Sequence, residues 1–226
     1  MGNPRFLKAA LAGTAVTLLV GATCALVRGQ AQIASIQPFV AIMVEEVAPR
    51  QDQPPTPITR LRTIAVRSDG SISRVSKMEA RLPGGFLYSR EVIDATARKH
   101  VTVEDYTRTI VGAEYADIQV LKAGVVCHGT PAGQINGYSV VYSEEAEGAA
   151  EEGDVIHKKW KAPQLGCYPV VQEWVGKAHG LAMDTKQTLA SIKLGEPDPW
   201  YFNVPTDYTI RTADETINVI KPLLKQ

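Results

Sequence analysis

The sequence has no surplus of charge of either sign. Its 24 Lys and Arg residues meet 24 Asp and Glu, for a formal net charge of zero. Nucleic-acid binding needs excess positive charge to neutralise phosphates and release counterions, so that function class is excluded. Histidine is scarce, with four residues in 226, at positions 100, 128, 157 and 179. The nucleophile elbow Gly-x-Ser-x-Gly, a phosphate-cradling glycine loop and the His-Glu-x-x-His zinc motif are all missing. No Cys-x-x-Cys pair is present either, which removes the usual redox arrangement. Nothing in the pattern implies a cofactor, a metal or catalysis, and no internal repeat is evident.

What the sequence does contain begins with an export signature. Arg5 and Lys8 precede an uncharged stretch, residues 9–27, that includes Leu11, Val16, Leu18, Leu19, Val20, Leu26 and Val27. A short basic region followed by an apolar run reads as a secretory signal. Cleavage could follow Ala31 or Cys24. The run is also close to the length that spans a bilayer, so a retained membrane anchor, or a lipidated Cys24, are the alternatives. Residues 1–31 are therefore expected to be a signal peptide or N-terminal anchor. That places residues 32–226 in the periplasm or outside the cell, with an inner-membrane tether as an option.

The remaining 195 or so residues suit one domain with a hydrophobic core. Their pattern is β-rich. Phe39 to Val47, Leu61 to Arg67, Ile72 to Ala80, Phe86 to Asp94, Lys99 to Asp105, Thr107 to Val111, Tyr138 to Tyr142, Val155 to Trp160, Val170 to Val175 and Gly180 to Leu194 all read as strand segments. Asp69-Gly70 and Asn136-Gly137 supply hairpin chemistry, because both pairs accept positive φ. Residues 48–57, with Pro49, Pro54, Pro55 and Pro57, read as a proline-rich loop, and residues 144–154 as an acidic loop. Thr212 and Glu215 have capping-box spacing ahead of Ile217, Ile220 and Leu224, with Pro222 limiting the helix to a short one. The expected fold is mainly β, an antiparallel sheet of eight to ten strands with a short C-terminal helix.

Besides Cys24, the exported part holds Cys127 and Cys167. An oxidising compartment predicts a disulfide between them, and two buried thiols are the alternative. His128 adjoins Cys127, but a Cys–His pair needs a thiolate that a disulfide would consume. His100 and His157 fall inside expected strands. The aromatic residues Trp160, Trp174, Trp200, Phe202 and Tyr208 gather in the last third, either as packing or as the lining of a concave apolar surface.

Three stretches together carry a resemblance: Arg67 to Ser71, the run Trp160-Lys161-Ala162-Pro163 through Cys167 to Pro169, and Gly195-Glu196-Pro197-Asp198-Pro199 with Phe202-Asn203-Val204-Pro205 and Tyr208. They resemble a group of uncharacterised exported bacterial proteins over about residues 60–210. That group more distantly resembles the periplasmic lipoprotein-carrier (LolA-like) superfamily. The resemblance implies a half-barrel, a curved sheet with a concave apolar face, and a noncatalytic role in binding a lipid or a lipoprotein acyl chain in the cell envelope. A membrane-tethered structural or sensory interaction domain is the alternative.

Overall fold

The computed structural model describes residues 32–48, 58–79, 85–113, 120–147, 155–178, 181–182 and 184–223. The expected signal or anchor (1–31), residues 49–57 of the proline-rich loop, residues 148–154 of the acidic loop, His179 and Leu224 lie outside that set.

Fifteen strands are described, more than the pattern foretold. They are β1 (Gln32–Ile33), β2 (Phe39–Val47), β3 (Ile58–Val66), β4 (Ile72–Glu79), β5 (Phe86–Asp94), β6 (Lys99–Glu104), β7 (Thr109–Ala113), β8 (Val126–Cys127), β9 (Thr130–Ile135), β10 (Tyr138–Glu147), β11 (Val155–Ala162), β12 (Tyr168–Ala178), β13 (Leu181–Ala182), β14 (Thr185–Leu194) and β15 (Thr209–Arg211). One sheet runs in the order β15-β7-β6-β5-β4-β3-β2-β14-β12-β11-β10-β9, with β13 beside β12, while β1 and β8 pair separately. Every pairing in the large sheet is antiparallel except that of β15 with β7. The strands missed from sequence are short or polar. β9, Thr-Pro-Ala-Gly-Gln-Ile, is exposed over its first five residues and has no apolar alternation to reveal it.

The strand β2 lies at the centre, between β3 and β14. Its alternation sends Phe39, Ala41, Met43 and Glu45 to one face, where all four are buried. The register carries that face into Arg60, Arg62, Ile64 and Val66 of β3 and into Ile72 and Arg74 of β4. The β3–β4 turn forms as its sequence requires. Asp69 Oδ1 accepts from the Ser71 amide at 2.8 Å, and Gly70 adopts φ +88°. A side chain at Gly70 would lie 2.2 Å from the Leu121 carbonyl oxygen, so both the conformation and the space demand glycine.

The sheet is curved and unclosed. Arg74 of β4 and the Tyr168 side chain of β12, four strands away in the order, lie close enough to interact and line one cavity. In a flat sheet that separation is about 19 Å, so the two can meet only if the sheet coils around this face. β9 and β15 end the order without pairing with each other. Inside the curve, Phe39, Ile64, Val66, Ile72, Ile93, Leu165, Tyr168, Val170 and Leu189 form the main core. One end of the concave face is plugged: Ile36 bridges Leu165, the Gly166 amide donates to the Ser35 carbonyl at 2.6 Å, and Leu121 packs on the core.

The convex face is covered in part by residues 195–208. Asp198 caps a 3₁₀ turn at Pro199–Phe202, its side chain accepting from the Trp200 amide. Phe202, Tyr201, Val204 and Tyr208 then pack on Ala65, Val92 and Val103. Arg90, only 1% exposed, fixes this strap to the sheet. Its Nη1 donates to the carbonyls of Trp200 (2.6 Å) and Asn203 (2.9 Å), and its Nε and Nη2 grip Asp105.

Two expectations need correction. Residues 144–147 are not loop but the end of β10, where Glu144 opposes Lys158 and Glu145 opposes His157. Their cross-strand partners neutralise the acidic run, with Lys159 Nζ 2.8 Å from Glu145 Oε2. The helix α1 (Ala213–Ile220) has the expected capping box, but its docked side is Thr216 and Ile220; Ile217 is 57% exposed. Ile220 packs on Leu87 of β5, with Met78 and Leu223 against the same cluster. Among the described residues no helix is long and apolar enough to cross a membrane.

Candidate functional site

Next to the plugged core, the concave face opens into a cavity of about 600 Å³. Its floor is built from β12, β14 and β2, with one wall from β3, β4 and β5 and the other from β10 and β11. The same inward parity that buries Phe39 and Val170 at one end delivers Glu45, Gln172 and Gln187 to the floor at the other. The result is an interior that changes from apolar to polar along single strands.

The floor carries a directed chain of hydrogen bonds across five strands. His157 Nε2 approaches Gln172 Oε1 at 3.4 Å, the Gln172 amide donates to Gln187 Oε1, and Gln187 Nε2 donates to Glu45 Oε2 at 2.7 Å. Arg60 and Arg62 complete the chain at 3.3 and 3.4 Å from the two Glu45 oxygens. Each amide passes a donor forward, so the chain ends on the carboxylate, where two guanidiniums balance the charge. Such a network is stable in a buried site because its members satisfy one another.

The walls carry further ion pairs. Arg74 Nη1 lies 3.0 Å and His100 Nε2 2.8 Å from opposite oxygens of Glu91. Burial pushes the Glu91 carboxyl up, but the Arg74 guanidinium and His100 outweigh it and hold it below the usual carboxylate range. Burial raises the Tyr168 phenol, which stays protonated, with the nearby Arg74 guanidinium opposing the shift. On the opposite wall Lys159 pairs with Glu145, and Lys161 points into the same cavity. Burial depresses the Lys161 ammonium; the Glu145 carboxylate opposes that shift, and Lys159 adds to it.

The expected site residues are dispersed by the fold. Trp174 lines the cavity, its ring stacked on His157 at 4.3 Å between centroids. It also lines a second cleft of about 640 Å³, with Val47, Ala48 and Val175, where β12 runs on past its last pairing with β14. Trp160 lies against Tyr142, at 5.0 Å, and beside the main core. Trp200, Phe202 and Tyr208 belong to the strap on the other face: Trp200 lies over Arg90, Phe202 is buried under Arg67, and the Tyr208 hydroxyl reaches Asp105 at 3.4 Å. They do not face this cavity; Phe202 and Tyr208 instead line a separate hollow of about 570 Å³ on the convex side, with Val92, Ile110 and Val204. Cys127 and Cys167 lie at disulfide distance, with Cα atoms 5.6 Å apart, and Cys167 borders the cavity. His128 is exposed.

Sequence reading passed over Glu45, Arg62, Arg74, Lys159, Lys161, Gln172 and Gln187. The usable signal was a polar residue at the inward parity of a strand whose other inward residues are core, as in Tyr168-x-Val170-x-Gln172-x-Trp174. No protein-family model matches the chain, and no curated protein matches it either.

Proposed function

We propose that this is an exported, noncatalytic protein of the cell envelope, periplasmic or extracellular, or tethered to the inner membrane by residues 9–27, whose curved sheet works as a half-barrel of the lipoprotein-carrier kind. Its ligand is a lipid or a lipoprotein acyl chain. The observation that carries this reading is the pair of adjoining hollows that share Trp174. The cleft, where Val47, Ala48, Trp174 and Val175 lie among Glu46, Glu173, Asp184 and Lys186, offers apolar surface for a chain, and the neighbouring cavity with Lys161, Arg62 and Arg74 offers a place for its anionic end. Amphipathic ligands need both environments within one molecule's length. The noncatalytic role is supported by His100 and His157, each of which is engaged with a neighbouring side chain.

The second reading, a membrane-tethered structural or sensory interaction domain, draws on exposed apolar side chains near the C-terminus. Ile210 of β15 is 77% exposed, and Ile217 of α1 also faces solvent.

Native mass spectrometry of the full chain, purified without organic solvent or delipidation, tests the choice. The expected result is an adduct with the mass of a fatty acid or phospholipid that disappears on organic extraction and is depleted in Trp174→Ala. A clean ligand-free mass, unchanged after incubation with envelope lipid extract, would reject ligand carriage and leave the interaction domain.

A further inference from the structure

The charges around the cavity do not cancel. Glu45 is matched by Arg60 and Arg62, Glu91 by Arg74 and His100, and Glu145 by Lys159. Lys161 remains. It lines the cavity on the same face of β11 as Lys159, and among the described residues no carboxylate lies within ion-pair distance of it. An ammonium partly withdrawn from water, with only the Glu145 carboxylate beyond ion-pair distance to offset the loss, is an unfavourable arrangement that a purely structural site would relieve with a neutral side chain. Its depressed basicity, caused first by burial, reports the same cost.

We infer that the cavity selects a ligand through an anionic oxygen group, a carboxylate or a phosphate, and that Lys161 is the side chain that receives it. The surroundings suit such a group. Arg62 and Arg74 stand on the facing wall with N–H groups beyond those spent on Glu45 and Glu91, and Lys159 adds positive potential on the same strand. The Tyr168 phenol, kept protonated by burial, has a hydrogen to donate. Cations thus reach the space from both walls of the coiled sheet, which no single strand or hairpin could arrange. An anion there would compensate, by ion pairing, for the hydration that Lys161 has lost and leave every other ion pair intact.

This inference rests on the proposal that the hollow is a ligand site, and the two can fail separately. The full-length protein is titrated with four probes: oleate, hexadecyl phosphate, uncharged oleyl alcohol and inorganic phosphate. Binding is followed by calorimetry for the natural sequence, Lys161→Met and Lys161→Arg. Oleate and hexadecyl phosphate are expected to bind, with oleyl alcohol weaker by about ten- to a hundredfold, the worth of one charge-assisted hydrogen bond. Lys161→Met should weaken the two anionic amphiphiles by a similar factor without changing the alcohol, and Lys161→Arg should restore most of the loss. The thermal midpoint of ligand-free Lys161→Met should rise, which separates loss of binding from loss of folding.

If inorganic phosphate binds with the same Lys161 dependence and an alkyl chain adds nothing, the anion site stands and the lipid reading falls. If oleate and oleyl alcohol bind equally and Lys161→Met changes neither, the anion site is refuted while lipid binding survives. Failure of all four probes to bind overturns both.

Discussion

Replacing Arg90 by Met is expected to release residues 199–208 from the convex face and to cost about 4 kcal/mol of stability. The figure follows from what the guanidinium holds. It makes a two-point contact with Asp105, at 2.8 and 2.7 Å, and donates to two strap carbonyls. Removing one member of a buried, hydrogen-bonded ion pair costs about 3–5 kcal/mol because the other charge is left unpaired. The Asp105 side chain is 26% exposed and can recover water, which places the electrostatic part near the low end of that range. Trp200 and Asn203 are exposed residues, so their carbonyls can also turn to solvent once the strap lifts. What is then lost is the burial of Phe202, about 1.5–3 kcal/mol for a full large apolar side chain and less for one that keeps some contacts. With a urea m-value of about 2 kcal/mol/M, the midpoint should fall by about 2 M. Hydrogen exchange read by mass spectrometry should show protection lost over residues 199–208 and retained in β2. Arg90→Lys should recover little, because an ammonium cannot grip Asp105 at two points and reach both carbonyls. A midpoint shift worth less than about 1 kcal/mol, with the strap still protected, would refute the assignment of Arg90 as its anchor.

Two further outcomes follow from the same geometry. The Cys127–Cys167 link closes a loop of 40 residues, so replacing both cysteines by Ser should lower stability by about 4 kcal/mol, read as a drop in the urea midpoint. Acid should weaken the fold through Glu91 and strengthen it through Glu104. The Glu91 carboxyl is held low, so its contribution is present above the unfolded value of about 4.3 and is lost as pH falls through the lower folded value. Burial holds Glu104 high, with Ser89 opposing and Asp105 adding, so its contribution is full below the unfolded value and is lost as pH rises through the folded one. In urea midpoints measured against pH, Glu91→Gln should flatten the acid limb and Glu104→Gln should raise the neutral plateau; the reverse pattern would refute the assignment.

The primary structure by itself determined the elements whose signals are local. The alternation in Phe39 to Val47 defined a strand before any partner was known, because one face of a sheet must be buried. Asp69-Gly70 and Asn136-Gly137 set hairpins through backbone conformations that few other pairs accept, and Thr212 with Glu215 fixed where the last helix begins. Cys127 and Cys167 had only each other as a possible partner within residues 32–226.

Tertiary structure decided which face each element presents and to whom. Trp200, Phe202 and Tyr208 could have lined the concave cavity, yet Arg90, 110 positions from Trp200, pins their segment to the convex side, where Phe202 and Tyr208 border a different hollow. Nothing local to either stretch announces that bond. The cavity likewise depends on coiling, which brings Arg74 of β4 against Tyr168 of β12 and sets Lys161 opposite Arg62. Sheet curvature is a sum of small twists over many strands together with the volume of the plug at Ile36, Leu121 and Leu165, and no single stretch of chain encodes that sum. The register determined that a polar residue points inward; only the closing of the two walls determined that four cations would meet there.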